Sequence, residues 1–188
     1  MKVLVAHFSQ TGNTEKVASA IYDEVVSSGY NAQLKGIAQF TAADLSEYDL
    51  VFLGSACHSA DLAPPILEIL RAIPTGSRLK LAGFATHSCP RTGGNERDQA
   101  LYDRWASGCL RTFEVASEDT RLDLLGYFGC QGAASPPIEE FIHGTILPDE
   151  DEWQAFVLEE RKHPDATDLE DARKFARSVL TRYLSECS

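Results

Sequence analysis

The sequence predicts an α/β fold, a doubly wound five-stranded parallel sheet with helices on both faces. Short apolar runs of strand length alternate along the chain with segments of helical periodicity. Most of these runs are nearly continuous apolar stretches, which is typical of strands that are buried on both faces. Such alternation of strands and helices is the pattern of a parallel sheet covered by its own connections.

The predicted strands lie at residues 3–8, 31–37, 50–54, 79–85 and 122–128. The second alternates polar and apolar residues and is expected at the edge of the sheet, whereas the others are mostly apolar. If the strands follow the order 2-1-3-4-5, the order reverses between strands 1 and 3. Ligands bind at the carboxyl ends of the strands at such a switch point, so the segments after these strands should form one site.

The helices are predicted from apolar spacing and from terminal signals. The first follows the turn after strand 1 and ends at Gly29, a short one covers residues 41–47, and another begins at Pro64-Pro65. A fourth helix begins near Asn95 and buries three residues, which are Leu101, Trp105 and Cys109. The last helix is expected to begin with a capping box from Thr167 to Glu170.

Residues 1–188 are expected to form one domain, with an excursion at about 136–163 before the last helix. The excursion carries the acidic run 149–152 and is predicted to hold one short helix around 152–160. Long surface segments of this kind are usually solvated insertions, and we expect no chemistry from this one.

The net charge and the cysteine content limit the partners and the compartment that we expect for this protein. The formal net charge of -11 argues against nucleic acid or an anionic membrane surface as a partner and is compatible with a basic protein partner. Five cysteines without a close framework suggest a reducing compartment, and no secretory signal or membrane span is evident. We therefore expect a cytoplasmic protein.

The segment 9–14 is the strongest local signal. It joins a buried strand directly to a helix start and is rich in hydroxyl and amide groups but contains no Lys or Arg. Backbone N–H groups in such a turn, with the positive end of a helix dipole behind them, suit a phosphate monoester. The alternative is an ordinary turn of small polar residues.

The pattern Ser9-x-Thr11-Gly12-x-Thr14 resembles the FMN-phosphate loop of the flavodoxin family. Segments at 126–132, 135–141 and 163–169 also resemble flavodoxin-like proteins, so the resemblance extends along the whole chain. It implies a flavodoxin-like fold, non-covalently bound FMN, and a phosphate loop made of Ser9, Gln10, Thr11, Gly12, Asn13 and Thr14.

The same resemblance implies that the flavin ring lies between two strand-end loops, 55–61 and 86–94. Their candidate binding residues are Ser55, Ala56, Cys57, His58, Thr86, His87, Ser88, Cys89 and Gly94. Flavodoxins usually stack Trp or Tyr on the ring, but neither loop contains one, and the two tryptophans fall elsewhere. Either His58 or His87 could stack on the flavin ring, or give a proton to the reduced flavin or to a substrate. The alternative interpretation is that both are loop histidines exposed to solvent.

Three cysteines, Cys57, Cys89 and Cys130, each lie just past a predicted strand. A redox-active or metal-binding cluster is one interpretation. The absence of ligand spacing favours another, in which they are small buried hydrophobes. Cys109 and Cys187 are interpreted as structural or incidental.

In flavodoxins a peptide after the third strand flips when the flavin takes up one electron, which requires a residue that tolerates positive φ. This chain has no glycine between Gly54 and Gly76, and Asp61 is the most tolerant residue of that loop. The sequence therefore predicts that two-electron steps are favoured.

The function favoured by these observations is transfer of electrons by bound FMN between redox partners, one of them a protein with a basic docking face. An FMN-dependent NAD(P)H or quinone reductase of the same fold is one alternative, because absent aromatics leave room over the ring. A flavin-free interaction or regulatory domain is the other.

Overall fold

The computed structural model describes residues 1–91 and 95–186. Its strands are Lys2–His7 (β1), Asn31–Gly36 (β2), Leu50–His58 (β3), Asp61–Leu62 (β4), Lys80–His87 (β5) and Asp123–Gln131 (β6). Its helices are Asn13–Ser27 (α1), Pro64–Arg71 (α2), Glu96–Trp105 (α3), Ser107–Thr120 (α4), Pro136–Thr145 (α5), Glu150–Glu160 (α6) and Ala166–Glu186 (α7). Short 3-10 turns lie at Ile37–Gln39 and Ala43–Glu47.

The main sheet is parallel and has the order β2-β1-β3-β5-β6. This confirms the predicted order 2-1-3-4-5, since the additional strand β4 pairs antiparallel only with the end of β3. Because the main strands are parallel, their carboxyl ends lie along one edge, where ligands bind in sheets of this type.

Both faces of the sheet are covered, as predicted. Val3 and Val5 of β1 belong to a core that includes the apolar stripes of α1 and α7. Leu4 and Ala6 lie on the opposite face, in a core with residues of α2 and α4. Successive side chains point to opposite sides of a strand, so covering both faces requires the uninterrupted apolar runs seen in the sequence.

Three strands, β3, β5 and β6, continue beyond their predicted ends. The segment 55–63 is not a loop, because β3 continues to His58 and then turns back into β4. Likewise β6 continues to Gln131, where it pairs with His87 of β5. Pairing with a neighbour satisfies backbone groups whatever the side chain, so these polar strand ends remain in the sheet.

The helix predicted near Asn95 is two helices. Asn95 does cap α3 and accepts from the backbone N–H of Asp98 at 2.8 Å, but the chain breaks helical geometry at Ala106 before α4 begins. Leu101 and Trp105 are half-buried and not core, whereas Cys109 in α4 is buried.

The excursion contains α5 as well as the predicted helix α6. Buried side chains from both helices and their connection form a small separate core of Ile142, Leu147, Trp153 and Val157. In the described part of the chain, no helix is long and apolar enough to cross a membrane.

The capping box predicted at Thr167 is wrong. Asp165 fills that role, because its Oδ1 accepts from the backbone N–H groups of Thr167 at 2.8 Å and Asp168 at 2.9 Å. The buried Asp168 in turn hydrogen-bonds Nδ1 of His163, and the carbonyl of His163 accepts from the backbone of Ala133 at 3.1 Å. These contacts connect the start of α7 to the segment that follows β6.

Candidate functional site

A cavity of about 640 Å³ lies at the carboxyl ends of β1, β3 and β5. The predicted site residues that line it are Gln10, Thr11, Asn13, Ala56, Cys57, His58, Thr86, His87, Ser88 and Cys89. The fold thus brings together the polar loop and both strand ends, while Gly94 lies outside the described residues. Their role in binding a flavin stays a prediction.

The loop 9–14 leads directly into α1, and the N-terminal end of a helix favours an anion. Gly12 adopts φ 86° at the N-cap of α1, a left-handed conformation that L side chains rarely adopt, and its neighbours Thr11 and Asn13 line the cavity. The Oγ of Ser9 is buried without a hydrogen-bond partner among the described residues. Since buried hydroxyls are normally paired, this one is available to a ligand.

Asn13 and Thr14 connect the loop to its surroundings. The side-chain amide of Asn13 donates to Oγ1 of Thr11 at 3.0 Å and to the carbonyl of Ala133 at 2.8 Å. The Thr14 hydroxyl lies 2.8 Å from that of Thr86 and is almost fully buried. Thr14 therefore fastens the loop to β5, although the sequence assigned its hydroxyl to the phosphate.

Ser55 also lies behind the cavity. Its side chain is fully buried, and its Oγ accepts from the backbone N–H of Ala63 at 2.8 Å. This contact holds the start of α2 against β3, so the residue supports the wall of the cavity from outside.

The turn between β3 and β4 has positive φ at both positions, Ser59 with 51° and Ala60 with 67°. Asp61, expected to be the most tolerant residue of this segment, is not the one that adopts positive φ. Packing on α4 holds the turn, because Thr112 donates to Oδ1 of Asp61 at 2.6 Å and Gly108 lies directly against the carbonyl of Ala60. Tertiary contacts thus offset the local cost of about 1–2 kcal/mol per residue.

Replacing Gly108 by Ala should destabilise the fold by about 1–3 kcal/mol, because its Cβ would lie 2.1 Å from the backbone oxygen of Ala60. The matched control is Gly144→Ala in α5, where a Cβ meets nothing within 4 Å and helix propensity predicts a gain of up to about 1 kcal/mol. Urea denaturation measures both changes. Equal effects of the two substitutions would contradict the close contact.

His58 and His87 end neighbouring strands, not solvent-exposed loops. His58 is half-buried, its Nε2 lies 2.9 Å from Oε1 of Gln10, and its ring meets the edge of Phe8. His87 is buried against Tyr102, and burial lowers its pKa to about 4. Burial also lowers the pKa of His58. Both imidazoles are therefore neutral near pH 7.

The described cysteines are free thiols in different environments. The thiol of Cys57 donates to the backbone carbonyl of Trp105 at 3.3 Å. The neighbouring thiol of Cys57, together with burial, raises the pKa of Cys109. Burial raises the pKa of Cys89 to about 12. Cys130 lines a separate, smaller cavity on the other side of His87. Cys109, interpreted as structural or incidental from the sequence, is fully buried beside Cys57.

The aromatic side chains of the cavity were not predicted from the sequence. Trp105 was placed elsewhere, but it lines the cavity beside Phe141 of α5, with ring centroids 5.6 Å apart and planes at 77°. Phe156 of α6 also lines it. The interpretation of the excursion as a solvated insertion is wrong, because its apolar residues line the cavity. The helical spacing of these residues is the sequence pattern that could have predicted this role.

Glu160 was also missed. Its side chain is fully buried at the end of α6, and its Oε1 accepts from the backbone N–H of Ala134 at 3.0 Å. The other oxygen has no hydrogen-bond partner among the described residues, and burial raises the pKa of the carboxyl to about 7. A titratable group therefore supports the segment 132–135, which lines the cavity.

A doubly wound parallel sheet with a polar strand-to-helix loop at its switch point defines a flavodoxin-like protein. A model of the flavodoxin domain matches residues 4–177, and the chain belongs to the flavodoxin family. The flavodoxin-like domain-containing protein BilS of Clostridioides difficile (strain CD3) is 24% identical over 188 residues, covering 97% of this chain and 98% of that protein.

Solved structures share the fold. Oxidised flavodoxin 1 from Bacillus cereus has a TM-score of 0.63 at 16% identity and covers 96% of this chain and 98% of its own. The rubredoxin oxygen:oxidoreductase of Desulfovibrio gigas has a TM-score of 0.61 at 13% identity, with 100% of this chain matched to 37% of that one. Membership of the family implies a flavin cofactor.

Proposed function

We propose that this protein binds FMN and transfers electrons between redox partners. The observation that carries the proposal is the loop 9–14, which holds the unpartnered Ser9 hydroxyl, contributes Gln10, Thr11 and Asn13 to the cavity and leads directly into α1. When bound, FMN supplies reversible one- and two-electron reduction, and the protein supplies its placement and environment.

The residues present fit this cofactor. Ser9, Thr11 and the backbone around Gly12 would hold the phosphate with neutral donors and the dipole of α1. The segments 55–61 and 86–94 contain no Trp or Tyr that could stack on the flavin ring. Other planar side chains line the cavity instead, namely those of His58, Trp105 and Phe141. The absorption spectrum of the purified protein, followed by titration of the apoprotein with FMN, tests this. If no flavin absorption stays with the protein once unbound FMN has been removed, the protein is a flavin-free domain.

We further propose that one partner is a protein with a basic docking face. The net charge of -11 supports this, as does the exposed acidic run 149–152 on and before α6, near the apolar residues of α5. Long-range attraction between such surfaces speeds association at low salt.

The rate of reduction by such a partner should therefore fall steeply as salt is added, since at physiological ionic strength salt screens the attraction between charges more than about 8–10 Å apart. Stopped-flow measurement of flavin absorbance at several salt concentrations gives this rate. Reduction by dithionite, a small reagent, serves as the control for salt effects on the flavin itself. A rate with the protein partner that is flat across the salt range would contradict the basic docking face.

A further inference from the structure

The end of β3 and the start of α4 place two thiols side by side. Cys57 is the residue before the last of β3, and Cys109 lies in the first turn of α4. Both belong to the same apolar core, in which Cys109 is fully buried and Cys57 is half-buried. The fold thus brings together two cysteines from distant segments of the chain.

Packing of α4 on the hairpin of β3 and β4 fixes the position of these thiols. Gly108 lies so close to the turn of this hairpin that a Cβ would meet its backbone. Further along α4, Thr112 donates to Oδ1 of Asp61 at 2.6 Å. Residues three apart share one face of a helix, so Cys109 and Thr112 both face the hairpin. Cys57 belongs to that hairpin, which explains why the two thiols are neighbours.

The two thiols differ in their access to small molecules. Cys57 lines the cavity, and its thiol donates to the backbone carbonyl of Trp105 at 3.3 Å. Cys109 lies behind it, where the neighbouring thiol of Cys57 and burial raise the pKa of Cys109. An accessible cysteine with a second cysteine beside it is the arrangement found in redox-active thiol pairs. Cys57 is therefore the thiol that a reagent meets first.

Cys89 and Cys130 have different surroundings. Cys89 also lines the cavity, but it is buried, and its thiol lies 3.6 Å from the carbonyl of Leu101. Burial raises the pKa of Cys89 to about 12. Cys130 lies in β6 and lines the smaller cavity instead. These two cysteines serve as internal controls for the reactivity of Cys57.

The lining of the cavity limits the reagents that can reach Cys57. Among the described residues that line it there is no Lys, Arg, Asp or Glu. A charged molecule that leaves water for this cavity therefore finds no opposite charge, and its desolvation is not offset. A small, uncharged molecule enters more readily.

We propose that Cys57 and Cys109 form a redox-active dithiol that exchanges with small, uncharged disulfides. Cys57 attacks one sulfur of the small disulfide, its proton goes to the thiol that leaves, and a mixed disulfide remains on Cys57. Cys109 then attacks the sulfur of Cys57, which forms the protein disulfide and releases the second small thiol with the proton of Cys109. The protein loses two electrons, and the small disulfide gains both. This inference goes beyond the proposed function and does not depend on it, because the exchange requires no flavin.

Incubation of the purified protein with 2-hydroxyethyl disulfide tests the proposal. A Cys187→Ser background removes the cysteine that lies outside the described residues. Free thiols are then alkylated with N-ethylmaleimide in denaturant, and the cysteine peptides are mapped by mass spectrometry. We expect a disulfide between Cys57 and Cys109, with the loss of two alkylatable thiols, while Cys89 and Cys130 remain fully alkylated.

Two variants assign the roles of the thiols. In Cys109→Ala the reaction should stop at a mixed disulfide on Cys57, because the second thiol is missing. In Cys57→Ala neither a mixed disulfide nor a protein disulfide should form. Circular dichroism shows whether both variants are folded.

The protein that retains both thiols decides the outcome even if a variant does not fold. A disulfide between Cys57 and Cys89, a mixed disulfide that persists on Cys57, or no reaction at all would overturn the proposal. None of these measurements uses the flavin, so a failure to bind FMN would leave them unchanged.

Dithiodiglycolate, a small disulfide with two carboxylates, is the comparison for charge. It should react about tenfold more slowly than 2-hydroxyethyl disulfide, with both rates divided by those for a free thiol in solution, because the cavity offers no cation to its carboxylates. Equal corrected rates would contradict the selection of uncharged disulfides.

Discussion

Replacing Ser9 with Ala is expected to weaken FMN binding by about 10- to 150-fold and to leave riboflavin binding unchanged. The Oγ of Ser9 is buried without a partner among the described residues, so it is free to donate to a phosphate oxygen. A hydrogen bond to a charged group contributes about 1.5–3 kcal/mol, which gives this range of affinity. Riboflavin lacks the phosphate and should bind far more weakly than FMN from the outset.

Fluorescence titration of the apoprotein with both flavins provides the measurement. Thr11→Val should also weaken FMN binding, because the hydroxyl of Thr11 accepts from Asn13 and still has its own proton to donate. Ser46→Ala is the control, since Ser46 is exposed and bonds the local carbonyl of Ala43. If FMN and riboflavin bind with equal affinity, the loop does not hold a phosphate.

Thr14 is a less suitable probe of the phosphate. Its hydroxyl contacts that of Thr86 in a buried position, so Thr14→Val would remove a contact within the fold as well as any contact to the cofactor. A loss of FMN affinity there would not separate binding from stability.

Replacing Glu160 with Gln is expected to change the pH dependence of stability by about 3 kcal/mol between pH 4.5 and 7. Burial raises the pKa of Glu160 to about 7, whereas an ordinary Glu titrates near 4.5. Below pH 4.5 the carboxyl is neutral in both states, and its contribution to stability is fully present. As the pH rises to 7, the unfolded chain ionises first, and stability of about 1.36 kcal/mol is lost for each unit of the difference.

His87 acts in the opposite direction. Burial lowers its pKa to about 4, so the unfolded chain binds a proton that the folded protein does not between pH 4 and 6.5. Its contribution to stability therefore rises with pH in that window. In the unmodified protein the two groups largely offset each other, and Glu160→Gln should expose the rise that belongs to His87.

Urea denaturation at several pH values measures the free energy of unfolding for both proteins. Glu159→Gln is the matched control, because Glu159 is an exposed neighbour on the same helix and pairs with Lys162. Parallel pH profiles for Glu160→Gln and the unmodified protein would show that the buried carboxyl has an ordinary pKa.

The sheet and the place of its site could be predicted from the sequence. Strands such as β1, buried on both faces, need apolar residues at every position, and this requirement is visible in a few adjacent letters. The loop 9–14 is equally local, because it connects a strand to the helix that follows. Once the strand order is assumed, the carboxyl ends of β1, β3 and β5 must meet, and ten of the candidate residues line the cavity there.

Other features of this protein were decided only by the tertiary structure, because they depend on contacts between distant segments. Trp105 and Phe141 are 36 positions apart and share the cavity because the excursion folds into α5 and α6 beside it. Ser59 and Ala60 adopt positive φ because α4 packs on their turn. Glu160 titrates near neutrality because its surroundings exclude water. Local sequence fixes backbone propensity and apolar periodicity, but burial, strain and pKa depend on neighbours that only the folded chain brings together.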